Sequence, residues 1–181
     1  MHIPAEAAAW FLPFVLPICF YVAFTDMREM LIKNHAVVAL FGVFVVIGLF
    51  LLPPWSMEWT QGRLGPIAIS LPPYIWQLLH ALVFLVLGIL FNVAGVMGAG
   101  DAKFIAAASP FVWTADFRAV ILILMATTLA AFATHRLAKA TPLRAIAPEW
   151  ESWNRGKQFP MGFALGGSLA LYLILGTVYG S

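Results

Sequence analysis

Charge is what this sequence has least of. Its 181 residues include ten Lys or Arg and eight Asp or Glu, so 10% are charged while 62% are hydrophobic. Soluble domains average about 25% charged and about 45–50% apolar. So few charged side chains cannot cover a water-facing surface, which excludes an ordinary soluble domain. Cysteine is almost missing: Cys19 stands alone, so no internal disulfide can form. In the middle of an apolar stretch, Cys19 reads as a buried small hydrophobe. There is no HExxH sequence and no phosphate-binding loop, and the four histidines, His2, His35, His80 and His135, are widely spaced. No basic or aromatic-interleaved patch is present to suit a nucleic acid, and the formal net charge is only +2.

What the chain does have is length between its charges. Uncharged runs of 19 (Ala7–Thr25), 24 (Asn34–Met57), 37 (Leu64–Gly100), 12 (Phe104–Ala115), 17 (Ala119–His135) and 24 (Gln158–Ser181) residues follow one another. A membrane-crossing helix needs about 20 mostly apolar residues, with a range of about 17–25. Five runs meet that length. The chain is therefore expected to be all-α and polytopic, with six transmembrane helices of which the fourth is short, in one membrane-embedded domain over residues 1–181. The spans fall at about Ala8–Phe24, Ala36–Leu52, Tyr74–Val96, Ala102–Trp113, Ala119–Thr134 and Pro160–Tyr179. The N-terminus has no basic n-region, so the first span is expected to be retained rather than cleaved as a signal peptide. Residues 53–73, with Trp55, Trp59 and several prolines, read as an interfacial loop. Gly162 and Gly166 have the small-xxx-small spacing of close helix contact.

The cations set the orientation. Arg28, Lys33, Lys103, Arg136, Lys139, Arg144, Arg155 and Lys157 follow spans 1, 3 and 5, whereas Arg63 and Arg118 fall on the other side. The basic side is the cytoplasmic one, so both termini are expected outside and the ends of spans 1 and 3 at the cytoplasmic edge.

Of the acids, Glu6, Glu58 and Asp116 fall in outer segments, Glu149 and Glu151 in the long inner loop, and Glu29 among the charges of the first inner loop. All six read as solvated anions. Asp26 and Asp101 differ, because an ionisable group at or within a span is costly unless it is paired or watered, and so marks a functional site. Asp26 alone also reads as a helix-end carboxylate paired to Arg28 or Lys33. Asp101, after Gly98-x-Gly100, also reads as a helix N-cap. Together they reach one membrane face at similar depth. Two neighbouring carboxyls share a proton, one serving as base toward water and the other as acid toward a carbonyl, as in aspartic proteases. His80 reads as a packed polar residue or a cavity lining, and Asn92 as a helix–helix hydrogen bonder.

These residues carry a resemblance. Asp26, Arg28, Ile32 and Asn34 match one pattern of the type IV prepilin peptidase family, the GxGD membrane aspartyl proteases, with Lys33 where proline is usual. Gly98, Gly100, Asp101 and Lys103 match a second pattern, followed by Ala106-Ala107-Ala108. Pro160 and Gly162 match a third, with Gly166 and Gly167 behind. The chain most resembles the short branch found in tight-adherence (Flp) pilus systems. The resemblance implies a membrane aspartic endopeptidase of the bacterial inner membrane, which removes the leader peptide from pilin precursors at the cytoplasmic face. Asp26 and Asp101 would be its catalytic pair, with no metal, no cofactor and no covalent intermediate. Longer relatives carry an N-terminal cysteine cluster of zinc type and also N-methylate the new pilin terminus with S-adenosylmethionine. Here the chain starts almost at span 1 and has one cysteine, so leader cleavage without methyl transfer is expected. The partners implied are the precursor, through its leader and following apolar helix, and the lipid bilayer. Residue chemistry alone leaves three other readings open: a small transporter moving protons or cations on the two acids, a non-catalytic assembly subunit of a pilus or secretion machine, and a GxGD protease with a different substrate.

Overall fold

A computed structural model describes residues 1–55, 59–64, 67–156 and 158–181. Six α-helices follow in order: α1 (Ala5–Glu29), α2 (Asn34–Leu51), α3 (Pro73–Val93), α4 (Ala99–Ala108), α5 (Phe117–Ala140) and α6 (Met161–Tyr179). All except α4 are long and apolar enough to cross a membrane. Helix α4 is extended only by a 3-10 turn over Ser109–Phe111, so the all-α fold with a short fourth helix stands as expected. Glu58 and Lys157, expected on the outer and inner sides, lie outside the described residues, as does the side chain of Arg63.

The boundaries have local causes. Helix α1 runs through Pro13 and Pro17, which membrane helices tolerate when neighbouring elements satisfy the freed carbonyls. It continues past the expected end of span 1 and keeps Thr25 and Asp26 inside the helix. It stops at Met30, whose left-handed backbone (φ 53°) returns its N–H to the Asp26 carbonyl at 2.9 Å, a helix-ending turn more often supplied by glycine. Pro53 and Pro54 follow the end of α2.

One expectation about loops is corrected. The 53–73 connection holds an antiparallel hairpin, β1 (Thr60–Leu64) against β2 (Ile67–Leu71), in register from Thr60↔Leu71 to Leu64↔Ile67. Its anchor is tertiary: a Cβ on Gly62 would fall 2.2 Å from the Trp76 ring, so the strand lies flat against that indole only because residue 62 is glycine.

Helices α1 and α6 form the most extensive pair. Glycine makes this possible: a Cβ at Gly166 would be 2.8 Å from the Cys19 carbonyl oxygen, and one at Gly176 would be 2.9 Å from Ile3. Membrane helices gain little by burying apolar surface from lipid, so backbone approach at small residues is what holds them together. Cys19 is buried in this seam, as expected. Around the seam, Phe11, Phe44, Tyr74 and Phe111 join four elements. Phe11 meets the edge of Phe111 at 4.9 Å, Phe44 stacks on Tyr74 at 5.8 Å, and the Tyr74 hydroxyl donates to the Val45 carbonyl at 2.9 Å.

The end of the bundle that carries both termini corrects a second expectation. Asp116 is no solvated loop anion. It is 3% exposed, and its carboxylate accepts the N–H groups of His2 (2.8 Å) and Ile3 (2.9 Å) and the Tyr172 hydroxyl (3.0 Å). The same hydroxyl accepts the Trp113 N–H at 3.2 Å. One carboxylate thus ties the N-terminal segment to α6 and to the α4–α5 connection. Nearby, His80 Nε2 pairs with the Thr114 hydroxyl at 3.2 Å, the packed polar role. Asn92 does not bridge helices; it donates to the Met97 carbonyl at 2.9 Å just beyond its own helix end.

At the other end, the loop that holds Glu149 and Glu151 is tied down by aromatic contacts. Trp150 meets Phe24 of α1 edge-on at 5.9 Å and stacks on Trp153 at 5.7 Å. Trp153 in turn stacks on His135 of α5 at 4.9 Å. This ladder crosses from α1 to α5 over the end of the bundle that carries Asp26.

Candidate active site

The three sequence patterns, dispersed over 137 positions from Asp26 to Gly162, meet at one end of the bundle. Asp26 occupies the last turn of α1 and is 6% exposed. Its expected ion pairs do not form. Lys33 bonds Glu29 four positions earlier in the chain, so Glu29 is half of an ion pair rather than a free anion, and Arg28 is exposed. The partner of Asp26 is backbone: the Gly162 N–H donates to Oδ2 at 2.6 Å.

The start of α6 explains that bond. The first residues of a helix have N–H groups with no partner inside it. Pro160 is the buried N-cap, and Gly162 is the second helical residue, so its N–H is free to point at a carboxylate, as helix N-termini do toward anions. A side chain there would prevent it, since a Gly162 Cβ would stand 2.9 Å from Asp26 Cβ and 3.0 Å from Oδ2. The proline-x-glycine pattern thus presents one donor and removes one obstruction.

Asp101 is not the N-cap of α4. Gly98 takes that position, in extended conformation, and Asp101 is the third helical residue. From there an acidic side chain can fold back over the helix start. It does so: Oδ2 lies 2.9 Å from where a Gly98 Cβ would be. Gly100 faces the other way, its missing Cβ leaving 3.3 Å to the Cβ of Ile32. The first two patterns therefore pack directly on each other. They are also hydrogen bonded, because Lys103 Nζ donates to Asn34 Oδ1 at 3.2 Å. Helix α3 approaches α4 closely here: a Gly88 Cβ would come 2.9 Å from the Ala102 Cβ.

Asp26 on α1 and Asp101 on α4 thus lie at the same end of the bundle, joined through the packing of Gly100 on Ile32 and the Lys103–Asn34 bond. Of the residues singled out from sequence, Asn34, Gly98, Gly100, Lys103, Pro160 and Gly162 all contribute to this junction, and Arg28 does not. Sequence reasoning missed Gly88 and the Trp150/Trp153/His135 ladder. The only signal for the ladder was a Trp-x-x-Trp spacing in a stretch otherwise read as polar. Among the described residues, no three His, Cys, Asp or Glu side chains are grouped to hold a metal ion.

The arrangement can present two carboxyls at one end of the bundle, one of them buried and oriented by a backbone donor. The sequence profile of the type IV leader peptidase family matches residues 13–135, which include both aspartates but not Pro160 or Gly162. No curated protein and no solved structure matches the chain. With the profile covering more than half of its length, this polytopic membrane protein belongs to the type IV leader peptidase family.

Proposed function

We propose that the protein is a membrane aspartic endopeptidase that removes the leader peptide from type IV or Flp pilin precursors at the cytoplasmic membrane face. The observation that carries the proposal is the junction of α1, α4 and α6 at one end of the bundle, where the Gly162 N–H bonds Asp26 and Gly100, beside Asp101 in the chain, packs on Ile32. In this reading one carboxyl of the pair takes a proton from a water molecule as that water attacks the scissile carbonyl. The other donates a proton to the carbonyl oxygen, and proton return to the amine completes cleavage without a covalent intermediate. The Gly162 N–H fixes the Asp26 side chain, so its orientation is settled before substrate arrives. Eight cations on one side against two on the other support a cytoplasmic site with both termini outside. Methyl transfer is not part of the proposed activity.

The test is co-expression with a pilin precursor, reading the product N-terminus by mass. Asp26→Asn and Asp101→Asn should each lower cleavage by more than about 100-fold, the usual contribution of a general acid or base, while the protein stays in the membrane. Full cleavage by either variant refutes the pair. Ion flux that the same substitutions abolish, in a chain that cleaves no precursor, would establish the transporter instead.

A further inference from the structure

From Phe117 to Pro148 the chain carries four cations, Arg118, Arg136, Lys139 and Arg144, and no acid. Three of the four fall at its far end, where α5 stops at Ala140 and a 3-10 turn over Pro142–Ile146 follows. Along α5, exposed residues recur at Leu122, Met125, Leu129, Ala133 and Leu137, in steps of three and four that put them on one face. In a helix that spans a membrane that face meets lipid, and Leu137 lies within the last turn. The 3-10 turn therefore begins at the depth where acyl chains give way to headgroups.

All six residues from Thr141 to Ile146 are exposed. A 3-10 helix has about three residues per turn, so side chains three apart stand above one another. Leu143 and Ile146 thus share one side of the turn, 57% and 80% exposed. Arg144 lies between them in the chain and donates to Asn154 Oδ1 through one nitrogen, at 3.2 Å. Among the described residues no carboxylate pairs with Arg144 or Lys139. An apolar edge beside cations, directly after a spanning helix, is the composition of segments that lie in the membrane interface.

We infer that the turn Pro142–Ile146 docks on the headgroup layer of an anionic bilayer, with Leu143 and Ile146 dipping into the acyl boundary and Lys139 and Arg144 meeting lipid phosphates. Two features favour lipid over a protein partner. The turn continues directly from the lipid face of α5, and the whole stretch from Phe117 to Pro148 lacks the acids that anionic headgroups would repel. Docking holds one end of the loop whose other end is held by Trp150 on Phe24 and Trp153 on His135. Lipid and aromatic contacts then fix the loop from both sides across the end of the bundle that carries Asp26. The inference is independent of the proposed cleavage reaction.

The test uses the purified full chain in liposomes. Cys19→Ala removes the native thiol, and a bimane label is attached through Leu143→Cys, Ile146→Cys or Ala145→Cys, the last exposed but on another side of the turn. Doxyl-labelled phospholipid reports contact with acyl chains, and acrylamide reports contact with water. In phosphatidylglycerol liposomes, doxyl quenching several-fold stronger at positions 143 and 146 than at 145 is expected. Phosphatidylcholine liposomes should shrink that contrast by about two-fold or more, and so should Lys139→Gln with Arg144→Gln in phosphatidylglycerol. Equal doxyl quenching at the three positions overturns the inference, as does an equal contrast in the two lipids. Shielding from acrylamide without doxyl quenching would place a second copy of the chain on the turn, and overturns it as well. Positions 143 and 146 report independently, so either label suffices should the other variant fold poorly.

Discussion

Replacing Gly162 by alanine adds a single methyl group at the most sensitive point of the junction. The added Cβ would stand 2.9 Å from Asp26 Cβ, 3.1 Å from its Cγ and 3.0 Å from Oδ2. Carbon atoms in packed contact sit about 3.5–4.0 Å apart, so the two backbones must separate by roughly 0.6–1 Å. Relieving such overpacking costs about 1–3 kcal/mol. The movement also stretches the 2.6 Å bond from the Gly162 N–H to Asp26, and hydrogen bonds to charged groups contribute about 1.5–3 kcal/mol. A misplacement of about 1 Å in a catalytic group costs about 100-fold in rate. Gly162→Ala should therefore lose about 100-fold in precursor cleavage while losing only a few kcal/mol of stability. Two neighbouring glycines serve as controls. Gly166→Ala would press on the Cys19 carbonyl at 2.8 Å, away from the carboxylate, and should cost stability while the folded fraction stays active. Gly167→Ala meets nothing within 4 Å and should be neutral or up to about 1 kcal/mol stabilising, from helix propensity alone. The assay is cleavage kcat/KM in detergent or liposomes beside thermal unfolding of the same preparations. Gly162→Ala with the cleavage rate of Gly167→Ala would refute the role given to the α1–α6 contact.

Two further perturbations follow from buried groups, and the aspartate exchanges above complete the set. Asp116→Ala strands the N–H groups of His2 and Ile3 and the Tyr172 hydroxyl. Each buried orphan costs about 1–3 kcal/mol, so a loss of about 3 kcal/mol or more is expected, against about 1 kcal/mol for Tyr172→Phe; equal melting temperatures for the two variants would contradict the anchor. Trp153→Ala removes the centre of the ladder on His135 and Trp150 and should cost about 3–5 kcal/mol locally. Limited proteolysis should then cut residues 141–160 far faster than in the parent, and an unchanged cutting rate would show that the ladder does not hold the segment.

The distinction between the two ends of the bundle shows which features a linear reading can catch. Span number and order were legible because lipid imposes one requirement along the chain, a sufficient run of residues without charge. The short α4 was legible for the same reason, in its 12-residue uncharged run before Asp116. Asp26 and Asp101 could be singled out because two carboxyls at span ends are unusual and because their neighbours carry the family patterns. Asp116 looked like any loop acid, and nothing near it in sequence indicates burial; its three donors come from residues 2, 3 and 172. Trp150 and Trp153 were likewise hidden, since their ladder is completed by His135 and Phe24 on two different helices.

Membrane residence, six helices and the identity of the two unusual acids are thus properties of the amino-acid order itself, since hydration cost and helix length act residue by residue. Tertiary structure decided what each acid does. It set Asp26 against a helix N-terminus 136 positions away, folded Asp101 over Gly98, and drew Glu29 into a local ion pair. It also buried Asp116 as an anchor. Those outcomes depend on how closely two backbones approach, and that is settled by which glycines face which helix once the helices have packed.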